Sequence, residues 1–152
     1  MADPTTINFG QVLVLLGNGA TPEVFSAPCG FTDKAVKNTA ASSAAIIPDC
    51  DNPEAAPWSV EGITSLSLEV TGSGILALED DPTWQAWFDS GASKNVRIVK
   101  NMPAAQGGGY RQGPMVLTDI SEAVKLSSDA KLATRNVTIK SAGPMPWTAN
   151  AF

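Results

Sequence analysis

Residues 58–91, WSVEGITSLSLEVTGSGILALEDDPTWQAWFDSG, decide the fold. Leu66, Leu68 and Val70 alternate with Ser65, Ser67, Glu69 and Thr71. A period of two sends the aliphatics to one face of a strand and the small polar groups to the other. One packed and one wet face is the signature of an antiparallel sheet. Gly72-Ser73-Gly74 then predicts a bend or bulge, because missing Cβ atoms free the backbone there. Ile75 to Leu78 continue as an apolar run.

A short helix follows. Asp81 is the expected N-cap and Pro82 suits the first helical position, where a missing N–H costs nothing. Glu79, Asp80 and Asp81 sit where the helix dipole favours negative charge. Trp84, Trp87 and Phe88 fall at i, i+3 and i+4 and share a side, and Gly91 is the expected stop. A helix this short does not hold in water alone, so its aromatic side must lie on a sheet.

The chain has 152 residues, which predicts one domain spanning residues 1–152 with room for a proper core. Its formal charge of −5 argues against a dedicated nucleic-acid grip, which needs a basic stripe. There is no histidine. That removes the commonest general base, the commonest metal ligand and the usual partner of a nucleophile. Cys29 and Cys50 are too few for a disulfide framework and too far apart for a CxxC site. One bridge between them is conceivable; two small buried or half-buried thiols is the plainer expectation. The start, MADPTTINFG, lacks the basic and apolar regions of a signal peptide, and no run approaches a membrane span. The expected place of synthesis and folding is a cytoplasm.

Outward from the central stretch, most segments read as strands. Gln11–Leu16 is a near-continuous apolar strand, and residues 24–36 are an extended region interrupted by Pro28 and Gly30. Lys94–Lys100 is a strand with Val96 and Ile98 inward. Tyr110–Ile120 is another, after a flexible connection at 101–109. Ser121–Leu126 and Ala133–Ser141 read as a hairpin turning at residues 127–130, with Val124 and Leu126 matched to Val137 and Ile139. Residues 38–57, NTAASSAAIIPDCDNPEAAP, predict a long loop with a sticky apolar centre at Ile46-Ile47. Residues 1–9 and 144–152 read as arms, the latter carrying Trp147 and Phe152 as docking points. The sum is about seven strands and one helix: a mainly β, antiparallel sandwich or split barrel with one flanking helix.

Each candidate catalytic or ligand motif has a plainer explanation. Gly72–Ala77 matches GxGxxA, but a dinucleotide site needs a helix to begin there and an aliphatic strand follows instead. Gly107-Gly108-Gly109 lacks the ending of a phosphate loop. Adjacent acids at 79–81 cap a helix and cannot flank a sugar. Asp49, Asp51 and Glu54 lack calcium-loop spacing. Trp58, beside Pro57, suits packing or an interface better than sugar stacking. No catalytic residue, cofactor or metal site is expected, so the chain is not read as an enzyme.

The order of these features resembles one known family. Pro57-Trp58 ends a long loop, Gly72-Ser73-Gly74 breaks a strand, and the aromatic helix 84–91 leads into Val96-Arg97-Ile98. A late hairpin, Thr118–Leu126 and Asn136–Gly143, closes the chain. The pattern, from about residue 9 to 146, resembles the tail tube (major tail) protein of long-tailed bacteriophages and related gene transfer agents. The resemblance implies a structural virion protein, assembled in a bacterial cytoplasm, whose homohexameric rings stack into a tube. Their sheets join into an inner barrel through which DNA passes on ejection without specific binding, and tail-tip and terminator proteins are further partners; no membrane is involved. Ile46, Ile47, Trp58, Trp147 and Phe152 become candidate contacts between subunits or rings. Ser65, Ser67, Glu69 and Thr71 become candidates for the channel wall, where weak acidity and a lack of Lys/Arg arrays let DNA slide. The alternative is a monomeric Ig-like or lectin-like binding module, which has no need of the arms.

Overall fold

A computed structural model describes residues 6–124 and 133–151. Aliphatic alternation becomes strand wherever one face can be buried. The strands are β1 (Val12–Gly17), β2 (Phe25–Ser26), β3 (Phe31–Ile47), β4 (Trp58–Ile75), β5 (Lys94–Lys100), β6 (Gly109–Val124), β7 (Ala133–Ser141) and β8 (Trp147–Ala149). Helix α1 spans Asp81–Ser90, and 3-10 turns cover Phe9–Gln11 and Ala104–Gln106. All described pairings are antiparallel, in the order β2-β1-β5-β6-β7-β4-β3. The first part of β6 lies between β5 and β8, and its later part lies along β7.

The sheet curls around one core. Val14 and Leu16 of β1, Leu68 and Val70 of β4, Val96 and Ile98 of β5, Met115 of β6, and Val137 and Ile139 of β7 are all buried together. Trp84 and Trp87 of α1 enter the same cluster, stacked on each other at 5.7 Å, with Phe31 edge-on to Trp84 at 5.8 Å. Each such side chain contributes roughly 1.5–3 kcal/mol on burial, before entropy costs. The curl brings β1 and β3 together: Lys34 Nζ donates to the Val12 carbonyl at 3.3 Å and lies over the Phe9 ring. The result is a split barrel with a flanking helix.

A polar pin fixes that helix. Arg135 of β7, only 3% exposed, donates through Nη2 to Asp81 at the start of α1 and to Glu122 of β6, the latter at 2.8 Å. Gln85 of α1 donates to the same Glu122 carboxylate at 3.1 Å. Charge-assisted bonds of this kind set the orientation of a helix on a sheet.

Several sequence expectations need correction. Residues 38–47 are not loop but the outer part of β3, paired residue by residue with β4 up to Ile47 opposite Trp58; only 48–57 connect the strands. Ala and Ser carry little strand propensity, so this strand exists because β4 supplies its hydrogen bonds. Gly72-Ser73-Gly74 is no break: β4 runs through it, paired on both sides. The irregularity is on the partner strand, between Phe31 and Asp33. Glycine is required because a Cβ at Gly74 would stand 2.1 Å from the Gly30 carbonyl oxygen. Strand β4 then stops at Ile75, and Leu78 is exposed.

Helix α1 is capped by Asp80, one residue earlier than expected and without a side-chain cap bond; its carboxylate instead accepts from the Cys29 backbone N–H. Gly91 ends the helix at φ 62°, as read. Phe88 lies on the flank and stays half exposed, since only the stripe through Trp84 and Trp87 meets the core. Residues 110–124 form one strand where two were expected. Val124 therefore faces Ala133, while Ile120 faces Val137 and Leu117 faces Ile139. The turn at 127–130 and Leu126 lie outside the described residues. The 144–152 tail is not a free arm: β8 pairs with β6, and Asn150 Nδ2 donates to the carbonyls of Lys100 and Met102 at 3.1 and 2.6 Å. At the other end, the Asn101 N–H donates to the Gln11 carbonyl at 2.7 Å. The first five residues of the 1–9 segment lie outside the described residues.

Candidate assembly surface

Alternation and register define the two faces of the β3–β4 hairpin. On one face Val70 lies opposite Val36, Leu68 opposite Asn38 and Leu66 opposite Ala40. A bulge at Thr64, whose hydroxyl donates to the Ala41 carbonyl at 3.1 Å, preserves the pattern, so Ile63 opposite Ser42 and Ile46 opposite Ser59 continue the same face. The other face carries Glu69 opposite Lys37, Ser67 opposite Thr39 and Ser65 opposite Ala41. It ends on Val60 opposite Ala45 and Trp58 opposite Ile47.

The apolar face changes abruptly along its length. Leu68 is 6% exposed, and Leu66, one step outward, is 81% exposed. Ile63 and Ile46 follow at 64% and 69%. The core row thus runs straight out of the barrel onto a bare strand pair. Beside it, a groove of about 770 Å³ opens between Leu66 and the Pro144-Met145-Pro146 segment. Apolar surface continuous with a core and left uncovered marks an interaction site.

The sequence-predicted contact residues separate accordingly. Ile46, Ile47 and Trp58 gather at the hairpin's outer end, with Trp58 83% exposed. Ile46 points to the opposite face from Ile47 and Trp58. Trp147 stands apart on β8, half exposed beside Lys100 and Arg111. Phe152 lies outside the described residues. Ser65, Ser67, Glu69 and Thr71 share one face of β4, as expected, with the serines exposed and Glu69 and Thr71 half covered. Leu66 and Ile63, also exposed, were not among the residues expected to make contacts. The alternation that recognised Leu66 also assigned it to the core, and only the position of the hairpin relative to the barrel shows otherwise.

Other chemistry is sparse among the described residues. No three His, Cys, Asp or Glu side chains gather as metal ligands, and no helix is long and apolar enough to cross a membrane. Cys29 and Cys50 are both exposed and unpaired, not buried as expected, because their segments lie outside the core. The Asp80 carboxylate beside Cys29 pushes its thiol above the ordinary value, helped by partial desolvation, the Asp80 hydrogen bond and Glu79. Arg97 is held between the rings of Phe25 and Tyr110 at 4.2 and 4.5 Å, with Gln112 accepting its N–H groups. That cluster ties β2, β5 and β6 together on their outer face.

The profile of the phage tail tube protein family matches residues 6–145. No curated protein sequence matches significantly. Among solved structures, the tail of an empty gene transfer agent particle with C6 symmetry superposes with a TM-score of 0.72 at 19% identity, covering 95% of this chain and 100% of that one. A chain from the virion of a native gene transfer agent particle gives 0.68 at 20% identity, with the same coverage. The SPP1 tail tube gives 0.65 at 9% identity, covering 95% of this chain and 80% of that chain.

Proposed function

The chain belongs to the phage tail tube protein family, and from that premise we propose that residues 1–152 act as one building block of a stacked hexameric tube. The protein is a structural tail component. Six copies form a ring, by analogy with the C6 tail of the similar gene transfer agent structure. The polar face with Ser65, Ser67, Glu69 and Thr71 lines the channel, through which DNA leaves the particle. The chain works by assembly and not by catalysis. Tail-tip and terminator proteins cap the ends of the stack.

The observation that carries this reading is the bare outer half of the β3–β4 hairpin. Its exposed apolar residues, Leu66, Ile63 and Ile46, gain stability when something covers them. A neighbouring copy supplies that cover, and Ile47 and Trp58 at the hairpin's end reach the next subunit or ring. The hydroxyl-bearing part of the opposite face, Thr39, Ser65 and Ser67, needs no cover, which suits a water-filled channel.

Electron microscopy of the purified protein at rising concentration tests the proposal. Stacked rings with a six-fold central hole are expected. Persistent monomers that also remain inert with tail-tip complexes would refute it and favour the binding-module alternative.

A further inference from the structure

The outer face of β3, β4, β7 and β6 carries its charges in rows. Lys37 stands opposite Glu69, Glu69 opposite Lys140, and Lys140 opposite Val116. One row across four strands therefore holds two ammonium groups and one carboxylate. The next row, about 7 Å along the strands, contains Thr71, Thr138 and Asp119. The row after that contains Asp33, Ser73 and Asn136. In the opposite direction, the β3–β4 pairs Thr39–Ser67 and Ala41–Ser65 carry no charge. Lys37 and Lys140 are exposed, and among the described residues the ion pairs all belong to Arg135.

We propose that Lys37 and Lys140 form a phosphate-contacting level in the channel wall, touching the backbone of nucleic acid as it passes. This rests on the reading of that face as the channel wall. The expected wall residues, all on β4, include no lysine; register with β3 and β7 brings Lys37 and Lys140 beside them. Each copy adds one net positive charge at this level, so a ring of six carries a belt of about +6. Ammonium groups on long flexible stems follow a moving phosphate without fixing its geometry. Glu69 between them and the aspartate rows beyond keep the contact shallow: the field reverses within two rows. A narrow attractive belt inside an otherwise acidic tube centres a polyanion through a shallow contact that salt readily weakens.

The test uses tubes assembled from the full chain and a fluorescent single-stranded oligothymidylate, with retention measured by co-sedimentation across a salt series. Wild-type tubes retain the probe at low salt and lose it as salt rises. The K37Q/K140Q variant should retain it about tenfold less well, with a flatter salt slope, and Glu69→Gln should retain it better. Variant tubes that hold the probe like wild type, or wild-type tubes that do not hold it, would overturn the inference while leaving the tube itself standing. A chain that never forms tubes, yet binds the probe as a monomer through the same two lysines, would keep the phosphate contact and remove its place in a channel. If the double variant does not assemble, Lys37→Gln and Lys140→Gln are compared singly, and monomers of all variants are measured with the same probe.

Discussion

The base and the outer half of the β3–β4 hairpin share two strands and one antiparallel register, yet they are held together by different physics. At the base, Leu68 and Val70 sit in the barrel core between β3 and β7. Farther out β7 is absent, both faces meet solvent, and the pairing rests on backbone hydrogen bonds and small side chains. A two-stranded ribbon is marginal alone in water. On the proposed reading the outer half is a segment whose stability is completed by assembly, whereas the base belongs to the folded subunit.

That contrast can be broken by substitution. The largest effect is expected in the shared core. Trp84→Ala or Met115→Ala should destabilise the monomer by about 3–5 and 2–5 kcal/mol respectively, read by urea unfolding. Leu66→Ala, two residues outward from Leu68 on the same face of β4, should change monomer stability by less than about 0.5 kcal/mol while abolishing ring formation in microscopy. A Leu66→Ala monomer as unstable as Met115→Ala would mean that the outer hairpin is covered within the subunit.

The glycines of β4 give a second, smaller contrast within one strand. Gly74→Ala drives a Cβ into the Gly30 carbonyl and should cost about 1–3 kcal/mol. Gly62→Ala meets nothing within 4 Å and should stabilise the monomer by roughly 0.5–1 kcal/mol, by relieving glycine's entropy cost in a strand. Equal effects at both positions would remove the distinction between base and outer half. The smallest expected effect concerns Cys29. Its raised pKa means less thiolate at a given pH, so Asp80→Asn should lower the pKa and speed alkylation by iodoacetamide at pH 8. An unchanged rate would mean that Asp80 does not govern the thiol.

The same contrast explains what could be read from sequence. Lys94–Lys100 and Ala133–Ser141 were legible to the residue because one face of each enters the core and stamps a period of two on the chain. The stop at Gly91 was legible because a left-handed residue is needed there. Residues 38–47 were not, since a strand with neither face buried within the subunit leaves no alternation, and its Ala and Ser residues resemble loop. Strand β8 is three residues long and takes its order from β6, so local pattern is silent about it. The sticky residues Ile46, Ile47 and Trp58 were recognisable as unsatisfied. Their gathering at one end of a hairpin was a matter of register, which pairs residues across a connection that carries no pattern of its own.

Asn101 binds the chain just after its start, and Asn150 binds it back just before its close, so both described ends leave the barrel beside the same stretch, residues 100–108. The subunit thus has a polarity that a label can report. A tag carried at Gly10 or at Ala151, both exposed, emerges from one pole, and in a stack of identical rings that pole would face the same way at every level. Gold particles bound to the two kinds of tag should decorate a tube at one axial phase, which would show that its rings share one orientation without resolving a single strand.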